Sequence, residues 1–489
     1  MERTPLVGRR SLLRAGAGAL ALPTLGGLAT ATGANYGPLD SLEIEGTAEA
    51  VVNGDGTVAY VAVGTGFVTV DIADPSDISV LAERRNLTDS EGDAIEQVLD
   101  VKYDDGQLLV PTAAQGGGPR GFYLYDVSDP ESPEQIGDWF ATPNHGNHNS
   151  HLEDGVAYLT GGYKLDIVDV SSDPFERLAT WEPADWNDEW ERPPLTVLHD
   201  LYVQDGTAYC AYWDGGTFMV DVSDPANPSF VGRKKTYTRE ELEEFPGSEY
   251  LEPGGNDHYV TVNDDASILI EGGESWDTDP EDDHGGPSGL ELFDVTDPSD
   301  PKPISTIEPP HAENETYNTG TWTTAHNFEM RGDRLYTSWY QGGVTIHDVS
   351  DPANPERIAW WADPTYGFWT ARSAVPGEFF VASSHLAGTA TTPGLLTFPD
   401  RAGEMADPPS SVWWGAKQTT ETETTTTTAT TGEATETPTE TVVTHSETGT
   451  TSAESDGGST AGTPGFGVLT ALAGLGLGAA RYRGRQGEE

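Results

Sequence analysis

The sequence predicts an all-β chain, a seven-bladed β-propeller of four-stranded antiparallel blades that occupies residues 41–400 and is closed by its N-terminal strand. Three observations predict it. One phrase returns in order along the chain, as VTVDIADPSDISVL, LYDVSDPESPEQIG, LDIVDVSSDPFERLA, FMVDVSDPANPSFVG, LFDVTDPSDPKPIS and TIHDVSDPANPERIA, at the period of roughly 40 residues that marks a propeller repeat. An Asp-Pro pair punctuates each copy, at Asp74-Pro75, Asp129-Pro130, Asp173-Pro174, Asp224-Pro225, Asp297-Pro298 and Asp351-Pro352. A last copy, ARSAVPGEFFVASSHLAGTATTPGLLTFPD, lacks an outer strand, while a spare strand, SLEIE from Ser41 to Glu45, precedes the first copy.

Each copy reads as a blade for local reasons. An alternating β-branched stretch makes one strand, and Ser/Thr-Asp-Pro ends it because proline brings no amide donor to a ladder. Ahead of each phrase lies a strand pair, as in HDLYVQDGTAYCAYWDGG and HNFEMRGDRLYTSWYQGG, with Asp-Gly or Gly-Asp at its hairpin and Gly-Gly at the next turn. Four antiparallel strands per copy make a blade. Pairing Ser41–Glu45 with the seventh copy closes the ring and removes the free sheet edge there.

The flanks read as processing and tethering signals. Residues 1–34 carry Arg9-Arg10, then Ser11-Leu12-Leu13 and a Gly/Ala-rich apolar stretch, with Ala29-Thr30-Ala31 as a small-residue cleavage site; this resembles a twin-arginine export signal. Residues 417–463 are dominated by Thr, Glu, Ser, Ala and Gly, a composition that predicts a disordered stalk. Residues 464–489 open on Pro464-Gly465-Phe466 and close on Arg481, Arg483 and Arg485 around an apolar run too short for a comfortable membrane span. That order resembles the PGF-CTERM sorting signal, which implies, in archaea, removal of the tail and attachment to a membrane lipid. The expected location is therefore extracellular and tethered to the cell surface, which gives weight to Asn86-Leu87-Thr88 and Asn314-Glu315-Thr316 as N-glycosylation acceptors.

Composition narrows the class further. Asp and Glu number 81 against 25 Lys and Arg, a formal charge of -56, spread along the chain. This is no nucleic-acid footprint, and such self-repulsion is tolerable in concentrated salt, where the screening length shrinks to a few Å; the expected source is a salt-loving archaeon. A disordered acidic polymer is excluded by 13 Trp, 18 Tyr and 14 Phe, enough aromatic volume for a sizeable core. The single cysteine, Cys210, lies in the apolar run AYCAYW and reads as a buried hydrophobe.

Together, YVAV…GFVTVDIADPSD, AYLTGGYKLDIVDVSSDP and LYTSWYQGGVTIHDVSDPANP resemble the LVIVD repeat over essentially the whole body. The resemblance implies the propeller and is nearly mute about function.

The chemistry-bearing signal is positional. Aligned on their second strands, four consecutive copies carry histidine at one equivalent place, His148, His199, His258 and His326, each ten residues before Tyr158, Tyr209, Ile268 and Tyr336 respectively; Leu99 and Thr370 stand there in the second and seventh copies. Equivalent positions at the start of innermost strands converge on the channel axis, so four imidazoles are expected to ring it, a donor set suited to Cu, Fe or Zn. Asn149, Asp200 and Asn327, each following a histidine, are the expected ring-orienting partners. Asp214, Glu274, Gln341 and His385, in turns after the second strand, are expected on the same face, with His145 and His151 flanking His148 and His284 in an acidic insertion.

The stretch HDLYVQDGTAYCAYWDGGTFMVDVSDPANP also resembles the selenium-binding protein/methanethiol oxidase family, propellers with a histidine-dependent copper centre; carotenoid cleavage oxygenases are a second analogy, holding iron with four histidines. Two functions follow as expectations: a surface module that binds a protein, glycan or small molecule through its histidine face, and a metal-dependent oxidase or oxygenase using the same cluster. Weaker motifs read structurally. The run Asp277, Asp279, Glu281, Asp282 and Asp283 places Asp282 where a calcium loop of the EF-hand type needs glycine, and Gly116-Gly117-Gly118 has no following helix to make a phosphate cradle. Trp181, Trp186 and Trp190 suggest packing between blades, a lid or a sugar-stacking surface.

Overall fold

The computed structural model describes residues 35–112, 118–142, 147–244, 251–279, 281 and 285–415. The signal segment, stalk and sorting tail lie outside the described residues, as do His145, His284, Gly116, Gly117, Asp282 and Asp283. Among the described residues are seven four-stranded antiparallel sheets and one two-stranded ribbon. Blades 1 to 6 span residues 47–84, 102–141, 150–181, 200–234, 257–307 and 328–361, their strands following chain order across each sheet. First strands of neighbouring blades touch one another around the ring and so line its axis.

Blade 7 is made from both ends of the domain. Phe368–Val375, Phe379–Ser384 and Gly394–Pro399 supply three strands, and Asp40–Glu43 completes the sheet antiparallel to Gly394–Pro399, with Asp40 opposite Thr397 and Leu42 opposite Leu395. The sequence-predicted closure is thus observed. Blades 1 to 6 each carry a register shift between third and outer strands, whereas this closing pair has none.

The recurring phrase does two jobs. The aspartate that ends the third strand accepts from the Ser or Thr two residues on: Ser128, Ser171, Ser223, Thr296 and Ser350 each donate an amide and a hydroxyl, to Asp126, Asp169, Asp221, Asp294 and Asp348. These bonds hold the carboxyls of Asp126, Asp221, Asp294 and Asp348 below the usual range. The proline of the turn then offers its carbonyl to the preceding blade: Thr69 donates to Pro130 O, Ser305 to Pro352 O and Thr397 to Pro75 O, all at 2.6 Å. In blade 4, Gly232 passes so near the Pro298 carbonyl that a Cβ would lie 1.8 Å from it.

Among the described residues, the blade interfaces are each filled by one apolar cluster, seven in all, with two further clusters outside them. Blades 6 and 7, for instance, meet through Tyr336, Phe380 and Phe398, with ring centroids 5.3 and 5.2 Å apart along the series. Burying each such side chain is worth about 2–3 kcal/mol, and no blade obtains it without its neighbours. Trp181 and Trp190 belong to the cluster between blades 3 and 4, where Arg233 lies 4.1 Å over the Trp190 ring. Trp186 remains exposed on the short helix Pro183–Trp186, stacked on Phe230 at 4.0 Å. Cys210 is fully buried and its thiol is pushed up by burial, the packing residue expected of it. The chain beyond blade 7 folds back: Val412–Trp413 pairs with His311–Ala312, and Trp414 covers Trp339, Trp360 and His347.

Candidate functional site

The four predicted histidines meet in series. Ring centroids of His148 and His199 are 4.2 Å apart, those of His199 and His258 4.2 Å, and those of His258 and His326 4.5 Å. His199 and His326 extend their blades' ladders just before the first strand begins, the His199 amide donating to Ala211 O and the His326 amide to Ser338 O. His258 arrives differently. It lies inside the strand Asp257–Val262, where a bulge between Asp257 and Tyr259 interrupts the register; a bulge re-aims one side chain, and here the ring at that break joins the series. The histidines are buried, none more than 9 % exposed.

The hydrogen bonds assign the tautomers. His326 Nδ1 lies 2.6 Å from Trp369 O, His199 Nδ1 3.3 Å from His258 O, and His385 Nδ1 2.6 Å from Thr47 O. A carbonyl oxygen only accepts, so each Nδ1 carries the proton and each Nε2 keeps its lone pair. The Nε2 of His326 is buried with no partner. The expectation that Asp200 and Asn327 orient the rings of His199 and His326 is corrected: the carbonyl of the next blade does so, because alternate residues of an extended strand point to opposite sides. Asp200 instead accepts from the Leu201 amide and Asn327 donates to Glu49, while Asn149 donates to His199 O.

Burial dominates the electrostatics. It pulls the His148 pKa down to about 4, with the Lys102 ammonium adding to the effect, and holds His199, His258 and His326 well below the usual imidazole range. The rings are therefore neutral at neutral pH, the form that ligates metals. Glu274, from the turn after the second strand of blade 5, brings a carboxylate to them: its Oε2 is 3.4 Å from His258 Nε2, and its Oε1 accepts from the Tyr340 hydroxyl. Burial raises Glu274 to about 7, against the Tyr340 bond, which lowers it.

Two groups of donor atoms result, His148, His199 and His258, and His258, Glu274 and His326, each mutually within 4.8 Å. Clustered neutral imidazoles, two bare buried nitrogens, His258 Nδ1 and His326 Nε2, and an adjoining carboxylate fit a d-block metal ion. Around them stand aromatic rings: Trp369 lies 4.0 Å from His326 and 4.8 Å from His385, Tyr340 4.7 Å from His326, and Trp213 6.0 Å from His199.

Of the other expected residues, His385 shares the face but stands behind Trp369, and Asp214 and Gln341 tie loops by accepting from the Asn256 and Trp322 amides. His151 packs edge-on against Tyr202 at 5.3 Å. Asn86 and Asn314 are exposed outside the strands, and Asn314 Oδ1 accepts from the Thr316 amide and hydroxyl. The sequence reading missed Tyr340 and Trp369, although Tyr340 adjoins Gln341 in an aligned turn. It also missed a second layer of channel charge: Lys102 pairs with Asp100, which accepts from Ser150, and Arg372 pairs with Glu49 at 2.9 Å. No repeat marks that layer, because its members come from different positions in different blades.

The LVIVD repeat model matches residues 51–83 and 199–236, which fall in blade 1 and in blade 4 with His199. Among solved structures, the chain is similar to the β-propeller domain of Cps50 (Swd1) from Myceliophteria thermophila, at 9% identity and a TM-score of 0.50, covering 75% of this chain and 99% of that one. It is similar also to U3-55K, at 10% identity and a TM-score of 0.51, covering 75% and 98%. At such identity the likeness shows the fold alone. No curated protein matches the chain. The fold is that of a seven-bladed propeller, and two of its segments match the LVIVD repeat.

Proposed function

We propose that this protein is an exported, surface-tethered binding propeller, an interaction module whose working end is the histidine face, with a d-block metal ion (Cu, Fe or Zn) held among His148, His199, His258 and His326. The observation that carries the reading is the convergence of donors from successive blades, His148, His199 and His258 within 4.8 Å of one another, in buried surroundings that keep the rings neutral. When bound, such an ion supplies Lewis acidity or a coordination position for a ligand's oxygen or nitrogen atom. The chain's own part is to exclude water with the surrounding aromatic rings and to hold two of the imidazoles, His199 and His326, in one tautomer through backbone carbonyls.

Protein purified from its native host without chelators is expected to contain about one metal ion per chain by elemental mass spectrometry, and the variant His258→Ala, which removes the ring shared by both groups of donors, to hold at least about tenfold less at equal fold content. Metal-free protein in both cases would sink the reading. The oxidase or oxygenase alternative uses the same cluster and predicts oxygen uptake by the Cu- or Fe-loaded protein; binding without uptake leaves the module. Export, lipid attachment and glycans on Asn86 and Asn314 are tested together by mass spectrometry of the membrane fraction. Mature chains should begin near residue 35 and end before the apolar tail; full-length, unmodified chains in the cytosol would contradict this part.

A further inference from the structure

Glu274 is the one carboxylate that reaches the imidazoles among the described groups of donor atoms, and its geometry is not that of an ordinary hydrogen-bond partner. Its Oε2 stands 3.4 Å from His258 Nε2, longer than the roughly 2.7–2.9 Å of a charge-assisted N–H···O bond. Two donors bound to one ion at about 2.0–2.2 Å with a tetrahedral angle between them lie about 3.4 Å apart. The partner across the gap, His326 Nε2, is buried, bare and forced into its lone-pair form by the Trp369 carbonyl. The other carboxylate oxygen is fixed from behind by the Tyr340 hydroxyl, whose ring packs against His326 at 4.7 Å.

We propose that the ion is seated in the triad of His258, Glu274 and His326, with Glu274 as a direct anionic ligand and Tyr340 as the residue that positions it, so that the site selects Zn2+ or Fe2+ over Cu+. This rests on the reading that the histidine end holds a metal, and it narrows that reading to a ligand set and a metal class. Two neutral imidazoles and one carboxylate are a mixed nitrogen and oxygen set that suits borderline divalent ions, whereas Cu+ favours soft donors. Charge favours a divalent ion as well: the carboxylate offsets one of the two positive charges brought into a buried place, which neutral rings alone do not.

The test uses the purified, metal-stripped chain. Co2+ is titrated while its d–d absorption is followed, Zn2+ and Cu+ affinities are measured by competition with chromophoric chelators, and folding is checked by circular dichroism. Glu274→Gln is expected to weaken Co2+ and Zn2+ at least about 100-fold and to change the Co2+ spectrum, with Glu274→Asp recovering part of the loss. Tyr340→Phe, which keeps the ring, is expected to weaken them about tenfold, and Cu+ affinity should move less than about threefold in all three. If Glu274→Gln misfolds, Tyr340→Phe decides. An unchanged Co2+ spectrum and affinity in a folded Glu274→Gln or Tyr340→Phe protein, with binding lost in His258→Ala, overturns the proposal and leaves a metal on imidazoles alone. A wild-type chain that binds none of the three ions overturns both readings.

Discussion

At the scale of single residues, the histidine series was legible because duplication preserves position: one offset from the second strand found His148, His199, His258 and His326, and the rings do meet. What the offset left hidden was which atom each ring presents, since that depends on carbonyls supplied by a different blade. A histidine outside the series gives a cleaner test of burial. His347 packs under Trp414, 2 % exposed, and burial, helped by the Arg357 guanidinium, pulls its pKa down to about 3. The unfolded chain takes up this proton near pH 6.5 and the folded chain only near pH 3, so the stability is whole above pH 6.5 and drains away as pH falls towards 3. At pH 4.5 the loss is on the order of 3 kcal/mol. Urea unfolding of wild type and His347→Gln at pH 7 and 4.5 is expected to show the gap between them narrowing or reversing at the lower pH, and a constant gap would refute the burial argument.

Strands and turns carry the next layer of consequences. The Asp-Pro phrases were read as stops that fix register; the structure adds that aspartates within the phrases cap the turn and that the carbonyls of Pro75, Pro130 and Pro352 stitch their turns to the blade before. The closing strand was legible as a missing piece at one end and a spare at the other, and it takes the expected outer place in blade 7. Blade 5 was the harder case, because its first strand contains a bulge that no spacing rule announces. Removing Asn35–Glu43 should bare the outer edge of Gly394–Pro399, lower the melting temperature by several degrees and promote self-association through that edge. Calorimetry and light scattering read both effects, and an unchanged monomer would mean the ring does not depend on this strand. Between blades 4 and 5, Lys234 bridges Asp257, Glu271 and Glu291 at 3.0–3.2 Å while itself buried. Lys234→Met strands two buried carboxylates and is expected to cost about 3–5 kcal/mol, measured by denaturant titration.

For the whole molecule, the balance of -56 is the dominant physical fact. Part of the acid is structural, as the turn-capping aspartates show, yet among the described residues the ion pairs are few against so many carboxylates, and several join residues only two positions apart. Folding at low ionic strength therefore works against self-repulsion that concentrated salt screens. The melting temperature is expected to climb by ten degrees or more, roughly, between 0.1 and 2 M KCl, and a midpoint independent of salt would remove the halophilic reading. By itself the sequence determined blade number, turn chemistry, ring closure and the equivalence of four histidines, because strand alternation and turn residues act over a few neighbours and are repeated copy by copy. Only the tertiary structure decided that Glu274 and Tyr340 join those rings, that carbonyls set the tautomers, and that Lys102, Asp100, Arg372 and Glu49 form a charged layer in the channel. Those contacts run between blades far apart in the chain, and their distances are fixed by how seven twisted sheets pack about one axis, a quantity that no local pattern encodes.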